Sequence, residues 1–210
     1  MIVDAVILSG GRGARLGGES KASLELGGVS LLDRTVAACD GVRRIVMVGD
    51  AGEWASGQRT LSGAEVSVTR ETPPFGGPVA ALAAGMAALR DAPPDAVLVL
   101  AVDMPHCAAL VPVLFGALRE RDSADAIMAR DAEGVQQPLA AIYRAAALRC
   151  ALESLAAENP QQASLTDLPM RAVTGRMSVD TVAAPPGSTA DVDTPADAAV
   201  LGVTLTGRPA

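Results

Sequence analysis

Three groups of residues have the types and spacing to do chemistry. The first is the stretch ILSGGRGARLGGESK, residues 7–21, where Gly10, Gly11, Gly13, Gly17 and Gly18 are interleaved with Arg12, Arg15 and Lys21. Glycines let main-chain N–H groups approach an anion closely, and the cations add charge, so the loop suits a phosphate-bearing ligand. The second is Asp103, which ends the aliphatic run of VLVLAVDMPHCAAL, residues 97–110. A carboxylate at the end of a buried strand is costly without a nearby cation. Mg²⁺ suits such a place, because it takes one or two carboxylates and fills its shell with water and phosphate oxygens. The plainer role for Asp103 is to cap the next helix. The third is TADVDTPADAAVL, residues 189–201, in which Asp193, with Asp191 behind it, is either a second metal carboxylate or the cap of the helix that Pro195 enters.

The loop admits several readings on its own. A dinucleotide turn needs G-x-G-x-x-G, and GRGARLG has one residue too many between Gly13 and Gly17, although Asp50 stands where such folds place an acid. A kinase-type phosphate loop needs Gly-Lys-Ser/Thr, whereas Glu19 and Ser20 separate Gly18 from Lys21 here. A basic surface connector is the bland alternative.

The elements that must position these residues are legible around them. Aliphatic runs at 2–8, 43–50, 64–69 and 95–103 read as buried strands, separated by helical segments that start at Ser30, at Gly76-Gly77-Pro78 and near His106. Strand and helix alternate over roughly the first 120 residues. That predicts an α/β, Rossmann-like fold, mainly parallel and flanked by helices, with its ligand beyond the carboxyl ends of the strands. Strands at 125–130 and 136–144, a helix at 145–159 and a frayed carboxyl end follow. The 210 residues fit one domain. Half the residues are apolar but only 2% are aromatic, so Ala, Val, Leu and Ile must fill the core.

A net charge of -7 argues against a nucleic-acid surface, though one basic loop can still hold a small phosphate compound. Cys39, Cys107 and Cys150 are odd in number and widely spaced, which indicates neither a disulfide framework nor a zinc site. No apolar run has the length of a membrane span and no signal-peptide pattern opens the chain, so a cytoplasmic protein is expected. His106 has no nucleophile or second ligand at useful spacing and reads as a polar residue at a helix start.

The combined spacing G-G-x-x-x-R-x-G-G-x-x-K, followed by ASLELGGVSLLDRTV, resembles the signature of nucleotidyltransferases related to the molybdenum cofactor guanylyltransferases. Leu8-Ser9-Gly10-Gly11 is similar to that family's Leu-Ala-Gly-Gly, Arg15 and Lys21 match, and Ser20 replaces an Asp that is common there. RETPPFGGPVAAL, residues 70–82, resembles the segment that approaches base and ribose; Glu71 matches its first acid, and Thr72 stands where an Asp is usual. TADVDTPADAAVL resembles the family's Asn-Val-Asn-Thr-Pro segment with Asp in place of Asn.

The resemblance implies a fold of the nucleotide-diphospho-sugar transferase type, with 1–105 as its nucleotide-binding part and 106–210 as its acceptor-binding part, and transfer of GMP from GTP to the terminal phosphate of molybdopterin, with pyrophosphate released. A CTP-using enzyme, another phosphorylated acceptor, or a nucleotide-binding module without turnover are the alternatives. It also implies that Arg15, Lys21 and Asp103 are catalytic and that Asp103 and Asp193 hold Mg²⁺. Leu8, Ser9, Gly10, Gly11, Lys21, Gly49, Glu71, Gly77 and Asp103 would contact the nucleotide, and Gln137, Arg144 and Arg171 the acceptor. Arg12 is the dispensable cation of the loop. Transient contact with molybdenum cofactor enzymes or synthesis proteins also follows from the resemblance.

Overall fold

A computed structural model describes residues 1–11, 13–54, 56–60, 62–158 and 165–207. Arg12, the last residue of the helix expected at 145–159, and the chain end at 208–210 lie outside them.

The central sheet has seven strands. β1 (Val3–Ser9), β4 (Arg44–Gly49), β5 (Glu65–Thr69) and β6 (Ala96–Ala101) coincide with the four aliphatic runs. β7 (Ala126–Arg130), β8 (Gln136–Arg144) and β9 (Val179–Ala183) complete the order β5-β4-β1-β6-β8-β7-β9. β8 runs against the other six. β1 is buried along its whole length, as a strand covered on both faces must be. Its neighbours β4 and β6 follow it on opposite sides, so the chain leaves the end of β1 at the switch point of the sheet, where α/β folds open a ligand crevice.

The two faces carry separate cores because alternate residues of β1 point opposite ways. Ala5 and Ile7 pack with α1 (Leu31–Ala38) and α3 (Val111–Glu120), through Leu31, Leu32 and Leu114. Val6 and Leu8 pack with α2 (Gly77–Ala88), α4 (Ala145–Glu158) and α5 (Met170–Thr174), through Val79, Leu82, Leu148 and Val173. Ser30 caps α1 as the sequence predicts, its hydroxyl oxygen accepting from the Asp33 N–H at 3.0 Å. The helix expected from His106 is broken into a 3₁₀ turn at Cys107–Ala109 and α3, because Pro112 has no N–H to donate and suits only a first helical turn.

A smaller sheet seals one side of the Gly-rich loop. β2 (Glu25–Leu26) pairs with β3 (Val29–Ser30) and with β10 (Val203–Thr204), which follows α6 (Pro195–Leu201). The Thr206 N–H donates to Glu19 Oε2 at 2.9 Å, fastening the carboxyl segment to the loop. Among the described residues no helix is long and apolar enough to cross a membrane.

Candidate active site

The Gly-rich loop leaves β1 against the end of β4, and two glycines make that passage sterically allowed. Gly49 has φ 115°, and a Cβ there would lie 2.5 Å from the Gly10 nitrogen. Gly13, at φ 54°, would place a Cβ 2.0 Å from the Glu19 carbonyl oxygen. The loop therefore folds tightly back on itself, with N–H groups of Leu16 and Gly18 both donating to the Gly13 carbonyl. Buried Leu16 anchors the 3₁₀ turn Ala14–Leu16, and Arg15 on the same turn stays exposed. Ser20 is buried, and its hydroxyl donates to Asp50 at the end of β4. That bond fixes the backbone immediately before Lys21.

Lys21 turns inward. Its Nζ lies 2.8 Å from Asp103 Oδ2 and 2.5 Å from Asp193 Oδ1, partners 82 and 172 residues away in sequence. Arg15 reaches the other Asp193 oxygen at 3.7 Å. Burial pulls the Lys21 ammonium down, but the carboxylates of Asp103 and Asp193 outweigh it and hold the pKa above its ordinary value. The carboxyl segment is delivered to this point by one backbone bond, the Val192 N–H donating to the Asp103 carbonyl at 3.0 Å, with Val192 fully buried.

The alternative capping roles fall to other residues. His106, exposed and three residues beyond Asp103, starts the next 3₁₀ turn. Thr194 caps α6 in a reciprocal pair with Asp197, which leaves the Asp193 carboxylate for the two cations. Asp103, Asp191 and Asp193 each offer an oxygen within 4.8 Å of the others. Although Asp191 as a whole is exposed, partial burial of its carboxyl, then the charges of Asp103 and Asp193, raise its pKa. An all-carboxylate donor set is what a hard divalent cation takes, so the three residues fit one.

Beside this cluster lies a cleft of about 520 Å³ at the switch point. Its lining includes the expected Leu8, Gly10, Gly11, Arg15, Lys21, Glu71, Gly77, Asp103 and Asp193. Gly77 and Pro78 bring the amino end of α2 to the cleft, and Gly76 before it supplies no side-chain cap. Glu71 is 7% exposed; its Oε1 accepts from the Phe75 N–H at 2.8 Å, while Oε2 is buried without a partner among the described residues. Ser9 and Gly49 back the loop rather than line the cleft: the Ser9 hydroxyl donates to the Val48 carbonyl at 3.2 Å.

The three residues read as acceptor contacts are dispersed. Gln137 is near the start of β8 and donates to Asp131 Oδ2 at 2.8 Å; Leu139, two residues on, lines the cleft. Arg171 is exposed on α5. Arg144 is not brought to the cleft. Because β8 runs antiparallel to β6, Arg144 pairs with Ala96 at the opposite end of the sheet from Asp103, and its guanidinium donates to the Ala124 carbonyl at 3.1 Å. Sequence reading also passed over Phe75 and Leu139, both of which line the cleft. The only signal for Phe75 was an aromatic residue in a Pro- and Gly-rich turn.

The strand order, the crevice at β1 and β6 and the acidic cluster at its mouth define an α/β fold of the nucleotide-diphospho-sugar transferase type. A family model described as the MobA-like NTP transferase domain matches residues 5–173, and the chain belongs to that family. The match ends before Asp191 and Asp193.

Among curated proteins none matches the chain. Solved structures share the fold. Molybdopterin-guanine dinucleotide biosynthesis protein A from Archaeoglobus fulgidus is 19% identical with a TM-score of 0.65, over 94% of this chain and 96% of that one. The 2-C-methyl-D-erythritol 4-phosphate cytidylyltransferase from Francisella tularensis is 14% identical with a TM-score of 0.67, over 96% and 99%. A Mycobacterium tuberculosis protein solved in complex with manganese is 16% identical with a TM-score of 0.59, over 96% and 98%.

Proposed function

We propose that the chain transfers a nucleoside monophosphate from a nucleoside triphosphate to a phosphorylated small-molecule acceptor and releases pyrophosphate. The observation that carries this reading is the Lys21 ammonium held between Asp103 and Asp193 beside a cleft whose lining includes Gly10 and Gly11. An acceptor phosphate is already ionised near neutral pH, so no protein nucleophile is required. The task is to bring two anions into line. Unit charges about 4 Å apart repel by roughly 4 kcal/mol at an effective dielectric near 20, and each reactant carries several.

Arg15 and Lys21 offset the charge of the β- and γ-phosphates and of the leaving pyrophosphate. The N–H groups around Gly10 and Gly11 and at the start of α2 orient the phosphate chain. Asp103 and Asp193, with Asp191 beside them, would hold Mg²⁺, which supplies charge neutralisation at the α-phosphate and the acceptor oxygen. Gln137 and Arg171 are proposed to meet the acceptor, whereas Arg144 is occupied elsewhere.

For the base we take guanine, with a molybdopterin-type cofactor as acceptor. Leu8-Ser9-Gly10-Gly11 is closer to the Leu-Ala-Gly-Gly start of the guanylyltransferases. The free Glu71 oxygen also favours guanine, whose amino group is flanked by a second N–H, over cytosine, whose amino group adjoins a ring acceptor that a carboxylate repels. A second reading, CTP as donor and a polyol phosphate as acceptor, has the support of the fold shared with cytidylyltransferases. Incubation with each of the four triphosphates, Mg²⁺ and either acceptor, with pyrophosphate as the readout, tests both. Release with GTP and molybdopterin supports the first; release only with CTP and a polyol phosphate replaces it with the second.

A further inference from the structure

Phe75 has φ 61°, in the left-handed region. For a bulky side chain this is an outlier, since Cβ crowds the following carbonyl, and it persists only where the surroundings over-determine it. They do so here. Its own N–H donates to Glu71 Oε1 at 2.8 Å, and the carbonyl of the next residue, Gly76, accepts from the Asp167 N–H at 2.8 Å. Pro73 and Pro74 before it have fixed φ, and Gly76 is so confined that a Cβ would lie 3.0 Å from Ala80 Cβ.

Glycine would make the same turn without strain, so the ring is not there for the backbone. Nor does it fill the core, because Phe75 is 44% exposed. In a chain where 2% of residues are aromatic, Tyr143 is buried and Trp54 and Phe115 are half-buried. Phe75 is the exposed one, and it stands on the wall of the cleft with Leu8, Gly10, Glu71 and Gly77.

We propose that Phe75 is the platform on which the base of the triphosphate stacks, a role that rests on the nucleotidyltransferase reading. A strained backbone here presents a flat apolar face to a flat ligand. Glu71 belongs to the same turn: one carboxylate oxygen accepts from the Phe75 N–H, and the other, buried without a partner among the described residues, is the acceptor left for the base edge. One turn thereby grips the base by face and by edge, and selectivity for the nucleotide depends on residue 75 as well as on residue 71.

The test is equilibrium binding of GTP and of CTP with Mg²⁺, without acceptor, to the full chain and to its Phe75→Gly and Phe75→Trp variants, each with a melting curve. Stacking of a base on an aromatic ring is strong enough that Phe75→Gly should weaken the tighter-bound triphosphate about tenfold. Phe75→Trp should retain it. Because glycine relieves the left-handed strain, Phe75→Gly should melt no lower than wild type. In turnover its KM for the triphosphate should rise while its KM for the acceptor stays unchanged.

A Phe75→Gly variant that binds as tightly as wild type overturns the platform while leaving the transferase reading intact. A variant that loses binding together with several degrees of melting temperature shows a packing role and likewise overturns it. If wild type itself binds no triphosphate, both readings fall.

Discussion

Replacing Lys21 by Met keeps most of the side-chain volume and removes the charge that separates Asp103 from Asp193. Lys21 is 19% exposed, Asp103 20% and Asp193 45%. Carboxylate oxygens within 4.8 Å repel by roughly 3.5 kcal/mol per pair at an effective dielectric near 20. The exposure of Asp193 screens part of this, so a net loss of about 2 kcal/mol is expected for the metal-free protein. For a chain of this size that lowers the melting temperature by roughly 4–8 °C.

A divalent cation should reverse the ordering of the two proteins' responses. In wild type it competes with the ammonium for Asp103 and Asp193; in Lys21→Met it does not, so Mg²⁺ or Mn²⁺ should bind more tightly and restore more stability. The assay is thermal denaturation with chelator and across a metal titration. Transfer should nevertheless fall at least 100-fold, since the triphosphate loses its inward cation. A Lys21→Met protein that melts with wild type in chelator and gains no more from metal would refute the account of the cluster.

Three other outcomes follow from the same structure. Asp4 is fully buried, and its oxygens accept from Arg43 and Arg44, whose Nη2 atoms each donate to Asp4 Oδ2 at 2.7 Å. Asp4→Asn should cost about 3 kcal/mol in urea denaturation, the low end for a broken buried pair because both arginines keep some solvent; a loss under about 1 kcal/mol contradicts this. The Asp197 carboxyl is held below the usual range by Thr194, first through its hydroxyl and then through its N–H. A lowered folded pKa stabilises above the unfolded value of 3.8 and is lost as pH falls through the folded value. Asp197→Ala should thus melt below wild type at pH 7, with the gap closing in acid below pH 3.8, and a gap independent of pH would count against the capping pair. Burial keeps the Cys39 thiol up and raises Cys107 to about 11, so iodoacetamide at about pH 8 should modify the exposed Cys150 first, as mass spectrometry would report.

The four parallel strands were legible because a strand buried on both faces must be aliphatic throughout, and the run at 95–103 shows that pattern most strongly. β2, β3 and β10 span two residues each and carry no periodicity to detect. The chemical types of the site were also legible, since Lys21, Asp103 and Asp193 stand out by kind. Their meeting was not, because it depends on the Val192 to Asp103 backbone bond between distant segments. Arg144 misled because its motif fixes a strand and not the strand's direction, and an antiparallel β8 carries its last residue away from the cleft. Phe75 escaped notice because strain in φ leaves no mark on residue type.

The Lys21, Asp103 and Asp193 cluster is proposed to hold two phosphates for direct transfer of a nucleoside monophosphate between them. Supplying triphosphate labelled at the α-phosphorus, with Mg²⁺ and acceptor, and following the label measures it most directly. All label should pass to the acceptor in step with unlabelled pyrophosphate, with none on the protein, and Asp103→Ala should abolish the transfer while melting as a folded chain. Label bound covalently to the protein, release of inorganic phosphate in place of pyrophosphate, or full turnover by Asp103→Ala would contradict it.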